Sequence, residues 1–176
     1  MQTSCAAILG IILLVLTNLA IIICFATPYW LEARHIYTRG LWAHCDDRDC
    51  TWMFQDEFAI QKHLPVWYQV AQGLITAGLT CSLIGLLIAT LVLCCQCQNC
   101  NGNHAVAGLL LITFLVMGVG IIIFAIKSSK EFNASIEWTV TGTYRFGWSF
   151  WMAICACGMS LITAIVYACM GRRYYA

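Results

Sequence analysis

Cysteine carries most of the reactive chemistry in this chain, with 12 among 176 residues. Cys45 and Cys50 flank Asp46-Asp47-Arg48-Asp49, a polar segment between two stretches, 37–45 and 50–54, rich in aromatic and β-compatible residues. A β-hairpin there would set the two thiols opposite each other, within disulfide reach. The ring so closed is short, so the chain entropy removed is about 2 kcal/mol, and the bridge would fix register more than add stability. A metal held with His44, or a redox-active dithiol, is the alternative reading of the pair; the structural disulfide is preferred. The three Asp of the turn have calcium-ligand chemistry, but solvated turn residues account for them.

A second group, Cys94, Cys95, Cys97 and Cys100, crowds into seven residues beside an apolar run. Four thiolates suit zinc, yet structural zinc sites draw on two separated pairs. Juxtamembrane cysteines are typical S-palmitoylation sites, and each acyl chain adds membrane affinity. These four are palmitoylation candidates, with free thiols and a metal site as alternatives; Cys5 and Cys169 are weaker candidates. Cys97-x2-Cys100 also has the spacing of a thiol oxidoreductase, a remote alternative function. Cys24, Cys81, Cys155 and Cys157 read as small core residues. His35, His44, His63 and His104 all lie outside the apolar runs without a nucleophile partner. Asn133-Ala134-Ser135 is an N-glycosylation sequon. No catalytic residue, cofactor or metal is assigned, and an enzyme is not expected.

Four long apolar runs must position these groups: 6–27, 66–93, 105–126 and 148–170. Every Asp, Glu, Lys and Arg falls outside them. Each run has about the twenty residues a helix needs to cross a bilayer core, and a lone apolar run in lipid must pair its backbone internally as a helix. Sixty-one per cent hydrophobic and ten per cent charged residues fit no ordinary soluble domain. A net charge of +1 without a basic stripe gives no nucleic-acid footprint. The first run lacks a basic start and exceeds a signal-peptide core, so it reads as a retained span. The expectation is one tetraspan domain, 1–176, with connections at 28–65, 94–104 and 127–147 and a tail at 171–176. The first connection is the only one long enough to fold, which leaves no room for a separate catalytic domain.

Sidedness is contested within the sequence. Seven of the nine Lys and Arg lie in the first and third connections, and a naive positive-inside count would place those in the cytoplasm. The sequon and the Cys45–Cys50 spacing favour an oxidising compartment for the same connections. Both termini are therefore placed in the cytoplasm. Tyr29, Trp30, Trp67, Tyr68, Trp148 and Trp151 near one interface, with Tyr174 and Tyr175 near the other, read mainly as headgroup anchors. No carboxylate, Lys or Arg lies at mid-depth, which disfavours a pump or transporter. Small residues (Ala156, Ser160 and Ala164; Gly118 and Gly120; Gly78 and Gly85) permit close helix packing, read as internal to the bundle. In the third connection, 136–141 alternates well enough for one strand that could join the edge of the first connection's sheet. A short helix at 61–67 is weakly suggested, against Pro65.

Trp30, Gly40-Leu41-Trp42, Cys45 and Cys50 resemble the W…GLW…C…C signature of the claudin and peripheral-myelin-protein superfamily. Epithelial membrane proteins and calcium-channel gamma subunits share it. Gln69-Val70-Ala71-Gln72 and Phe146-Gly147-Trp148-Ser149-Phe150-Trp151 look like that family's openings of the second and last spans. The tail with Arg172 and Arg173 resembles the epithelial-membrane-protein branch. The resemblance implies a left-handed four-helix bundle topped by a small extracellular antiparallel β-sheet built from both outer loops. It also implies that Trp30, Leu41 and Trp42 pack near the membrane surface while Cys45 and Cys50 tie two strands. It places the termini in the cytoplasm and the chain in the plasma membrane, with cell-cell junctions as an address within it. Only nine residues separate Trp30 from Gly40, and only four separate the cysteines. Claudins have more in both places and tend to carry Arg where Gln72 stands, so paracellular pore formation is doubtful for this chain. The final Tyr174-Tyr175-Ala176 is similar only loosely to a PDZ ligand.

The expected function is non-enzymatic: a claudin-like tetraspan protein acting in cell-cell contact and membrane organisation. Its partners would be the lipid bilayer, itself, and other membrane proteins in cis or trans. The alternative is an auxiliary, gamma-like subunit of an ion channel or receptor.

Overall fold

The computed structural model describes residues 5–33, 37–46, 49–53, 64–95, 102–135 and 144–173. Within them run four helices: α1 (Cys5–Ala26), α2 (Val66–Cys95), α3 (Gly102–Glu131) and α4 (Trp148–Arg173). All four are long and apolar enough to cross a membrane. Only 22–39% of each span's most apolar window is buried inside the bundle, so most of its surface is left for lipid. Leu9, Leu87, Ile122 and Ile162 are among the side chains on that outward belt.

Helix ends follow local chemistry. Pro65 sits just outside α2, and its carbonyl accepts the amides of Tyr68 (2.9 Å) and Gln69 (3.4 Å), starting the helical ladder. Residues 61–63 of the suggested short helix lie outside the described residues. α3 outruns its apolar stretch by five residues, because Lys127 to Glu131 contains no helix breaker. It ends at Glu131, two residues before Asn133, which takes the left-handed conformation (φ 48°) common just past a helix C-terminus.

The helices pack in a ring: α1 touches α2 and α4, and α3 touches α2 and α4. The small residues lie inside it. A Cβ on Gly78 would strike the Met117 side chain, and one on Gly120 would lie 3.1 Å from Ile75. Ala156, Ser160 and Ala164 are buried. The small-residue faces thus serve the bundle. Buried hydroxyls and one amide add cross-links at mid-membrane. The Thr17 and Thr163 hydroxyls are 3.2 Å apart, joining α1 to α4. Ser82 donates to Asn18 Oδ1 at 3.1 Å, joining α2 to α1. Thr113 donates to the Gly78 carbonyl at 3.2 Å, joining α3 to α2. Most of these groups also bond a carbonyl of their own helix, so none is left bare in lipid.

One end of the bundle carries a sheet. Its strands are β1 (Leu31–Ala33), β2 (Thr38–Arg39), β3 (Ala43–Asp46), β4 (Asp49–Trp52), β5 (Ala134–Ser135) and β6 (Tyr144–Phe146), in the order β4-β3-β2-β1-β6-β5. Five strands are antiparallel and β5 joins β6 in parallel. As expected, the first and third connections build this sheet together. The expected third-connection strand at 136–141 lies outside the described residues; the described strands β5 and β6 flank it, and β6 pairs with β1, an edge strand of the first connection's four. The stretch 37–45 is not one strand. It folds back at Gly40-Leu41-Trp42, so that Thr38 pairs with Cys45 and Arg39 with His44. The reason is burial: Leu41 is fully enclosed and pulls the chain down onto the helices. The turn between the cysteines is also shorter than four residues, since Asp46 and Asp49 are themselves a strand pair.

Candidate functional site

The region where sheet meets helices is built from the signature residues. Trp30 is fully buried, immediately before β1. Its Nε1–H donates to the Cys24 carbonyl at 2.7 Å, satisfying a C-terminal carbonyl of α1. Its ring meets Phe124 of α3 edge-on at 4.9 Å and Phe150 of α4 at 5.9 Å. One side chain therefore ties three helices to the first strand.

The Gly40-Leu41-Trp42 turn is fixed largely by its backbone. Gly40 N–H donates to the Ala43 carbonyl at 2.8 Å, and Met53 N–H to the Trp42 carbonyl at 2.9 Å. The two remaining carbonyls point at α2: Tyr68 Oη donates to Gly40, and Gln72 Nε2 donates to Leu41 at 2.5 Å. Gln72 Nε2 also lies 3.3 Å from Met53 Sδ. A Cβ on Gly40 would lie 2.5 Å from Pro28 Cα and 2.6 Å from the Thr27 carbonyl oxygen. Two backbones touch there, and only glycine allows it. Trp42 packs its ring 5.7 Å from Phe25.

Cys45 and Cys50 are bonded as a disulfide across β3 and β4. Their strands form the rim of the sheet, where Asp49, Cys50 and Trp52 are exposed. The other side of the sheet is joined to α4. Gly147 N–H donates to the Trp30 carbonyl at 3.0 Å, and Ser149 N–H to the Tyr29 carbonyl at 3.1 Å. The Thr27 and Ser149 hydroxyls are 2.7 Å apart. Across β1 and β6, Arg145 donates from Nε (2.9 Å) and Nη2 (2.7 Å) to Glu32 Oε2.

An aromatic and charged patch lies between sheet and helix ends. Arg39 places its guanidinium carbon 5.5 Å from the Tyr68 ring centre and 5.4 Å from that of Phe132. Tyr144 stands 5.9 Å from Phe132 and 6.3 Å from Tyr37. Partial burial, then the nearby Tyr37, push the Tyr144 phenol above its ordinary range, while Arg39 pulls it back. Trp67 Nε1–H donates to Glu131 Oε2 at 2.6 Å, tying α2 to the end of α3.

Two expected anchors are not anchors. Trp30 and Tyr68 are wholly buried, because each has a carbonyl to serve and rings to pack against. Tyr29, Trp148 and Trp151 are exposed at that end, as an anchor must be; Tyr174 and Tyr175 lie outside the described residues. Among the cysteines expected in the core, Cys24 and Cys157 are buried and Cys81 is half-buried, but Cys155 is exposed on the lipid side of α4. Cys94 is an exposed free thiol at the end of α2 and Cys169 one near the end of α4. Cys97 and Cys100 lie outside the described residues. Asn133 is exposed at the end of α3, one residue before β5. Tyr68, Gln72 and Phe124 hold the platform and were not singled out for it by the sequence. The available signal was Gln72, an amide inside an apolar run that must find a partner.

With this geometry in place, the profile of the PMP-22/EMP/MP20/Claudin family matches residues 4–167. No curated protein matches the chain.

Proposed function

The chain belongs to the PMP-22/EMP/MP20/Claudin family of tetraspan membrane proteins, and from that premise we propose that it acts without catalysis in cell-cell contact and membrane organisation. The supporting observation is the way the sheet is mounted. Trp30, Gly40 and Gln72 lock it to the helix ends through buried hydrogen bonds and backbone contact. Its far rim, β4, stands exposed with Trp52 on it. A rigid platform with an exposed rim suits recognition of another protein surface, because little ordering entropy is lost on contact. The chain resides in the plasma membrane with the sheet outside and both termini cytoplasmic, and Asn133 accepts a glycan on the sheet side. The inner cysteines, Cys94 among them, carry palmitate. The short β3–β4 hairpin provides little wall for a paracellular pore.

Expression in non-adherent cells tests the contact role: aggregation with enrichment of the protein at cell borders is expected, and dispersed cells with uniform label would refute it. Purification in mild detergent tests the other reading. A stoichiometric channel or receptor subunit in the eluate would replace adhesion by an auxiliary role. Hydroxylamine-sensitive acyl exchange tests the thioester, and glycosidase digestion tests Asn133.

A further inference from the structure

We propose that the Arg39 guanidinium is an oxyanion receptor, and that its ligand is the phosphate of a phospholipid in the leaflet on the sheet side. Arg39 lies opposite Leu31 on the neighbouring strand. Directly paired residues share a face, and Leu31 is fully buried. Arg39 therefore leaves the sheet toward the helix ends, where its cation rests on Tyr68 and Phe132. Ring faces attract the charge but accept none of the five guanidinium N–H donors. Its Nε is buried without a hydrogen-bond partner among the described residues. Among the described residues no carboxylate forms an ion pair with it. Among the described residues, Glu32 is paired with Arg145, and Glu131 accepts the Trp67 N–H and keeps its charge.

The surroundings add positive charge. Lys127 and Lys130 are exposed on the last turns of α3, the helix that ends beside Phe132. Among the described residues neither forms an ion pair. Depth decides the source of the anion. Tyr68 opens α2 and Phe132 follows α3, so Arg39 sits where apolar spans give way to headgroups. Lipid phosphates are concentrated at that level, and a guanidinium meets a phosphate with two parallel hydrogen bonds. Snorkelling alone would leave the donors to water; here the aromatic seat holds the fork in place for a fixed ligand.

The test uses the full chain, delipidated in detergent. Three probes are added separately: dioctanoyl-phosphatidylglycerol, dioctanoylglycerol (which lacks the phosphate) and inorganic phosphate. Phenylglyoxal modification of Arg39 is read by peptide mass spectrometry, with Arg145, already paired to Glu32, as internal reference. The phospholipid is expected to slow modification of Arg39 while the other two probes do not. By native mass spectrometry, Arg39→Gln should lower phosphatidylglycerol affinity about tenfold, the scale of one charge-assisted hydrogen bond, and Arg39→Lys should lower it less. Protection by inorganic phosphate at the same concentration would reassign the site to a free anion and overturn the lipid assignment. Protection by dioctanoylglycerol, slow modification in the delipidated chain, or equal lipid retention by Arg39→Gln would overturn the receptor itself. The protection assay needs no variant, so it decides even if Arg39→Gln does not fold.

Discussion

Replacing Gly40 by Ala adds one methyl group where two backbones already touch. The new Cβ would sit 2.5 Å from Pro28 Cα and 2.6 Å from the Thr27 carbonyl oxygen. Carbon atoms prefer separations near 3.5–4.0 Å, so roughly an ångström of overlap must be relieved. Neither obstacle is a side chain that can swing aside. The turn must lift, which pulls the Gly40 carbonyl from Tyr68 Oη and the Leu41 carbonyl from Gln72 Nε2. Overpacking costs about 1–3 kcal/mol, and each buried hydrogen bond lost adds about 1 kcal/mol. A destabilisation of about 3–5 kcal/mol is expected. Gly73 of α2 is the control: a Cβ there has nothing within 4 Å. Gly73→Ala should instead stabilise by up to about 1 kcal/mol through helix propensity. Unfolding both variants by SDS titration in mixed micelles measures the difference. Gly40→Ala within about 0.5 kcal/mol of the parent would refute the backbone-contact account of this turn.

Reducing the Cys45–Cys50 bridge should cost about 2 kcal/mol by the same titration, and maleimide should label both thiols only after reduction. A double-mutant cycle on Asn18→Ala and Ser82→Ala, which share a 3.1 Å hydrogen bond, should give a coupling of about 0.6 kcal/mol. The Glu32–Arg145 pair is 17% and 43% exposed at its two side chains. Its coupling should stay below about 1 kcal/mol and shrink as salt is raised. The Tyr144 phenol is raised in the folded protein, so the fold binds its proton more tightly than the unfolded chain does. That contribution is complete below the ordinary tyrosine range and lost as pH rises through the raised value. Tyr144→Phe should lessen the alkaline loss of stability followed by tyrosine absorbance.

The sequence alone determined the class of this protein. Apolar runs longer than a bilayer core, with every formal charge outside them, permit no fold but spanning helices, because lipid offers no partner for a bare amide. Local spacing also favoured the hairpin disulfide over a metal site or a redox dithiol, and the register that pairs Asp46 with Asp49 sets Cys45 opposite Cys50. Composition could not reveal which aromatics are anchors. Trp30 and Tyr29 are adjacent and chemically alike, yet one is sealed among Phe124, Phe150 and the Cys24 carbonyl while the other is exposed. The bend at Gly40 and the role of Gln72 were hidden for the same reason: each depends on a group 12 to 31 residues away along the chain. Only the tertiary structure decided how the sheet is seated, because seating is set by contacts between backbones and buried carbonyls that no local pattern of residue types encodes.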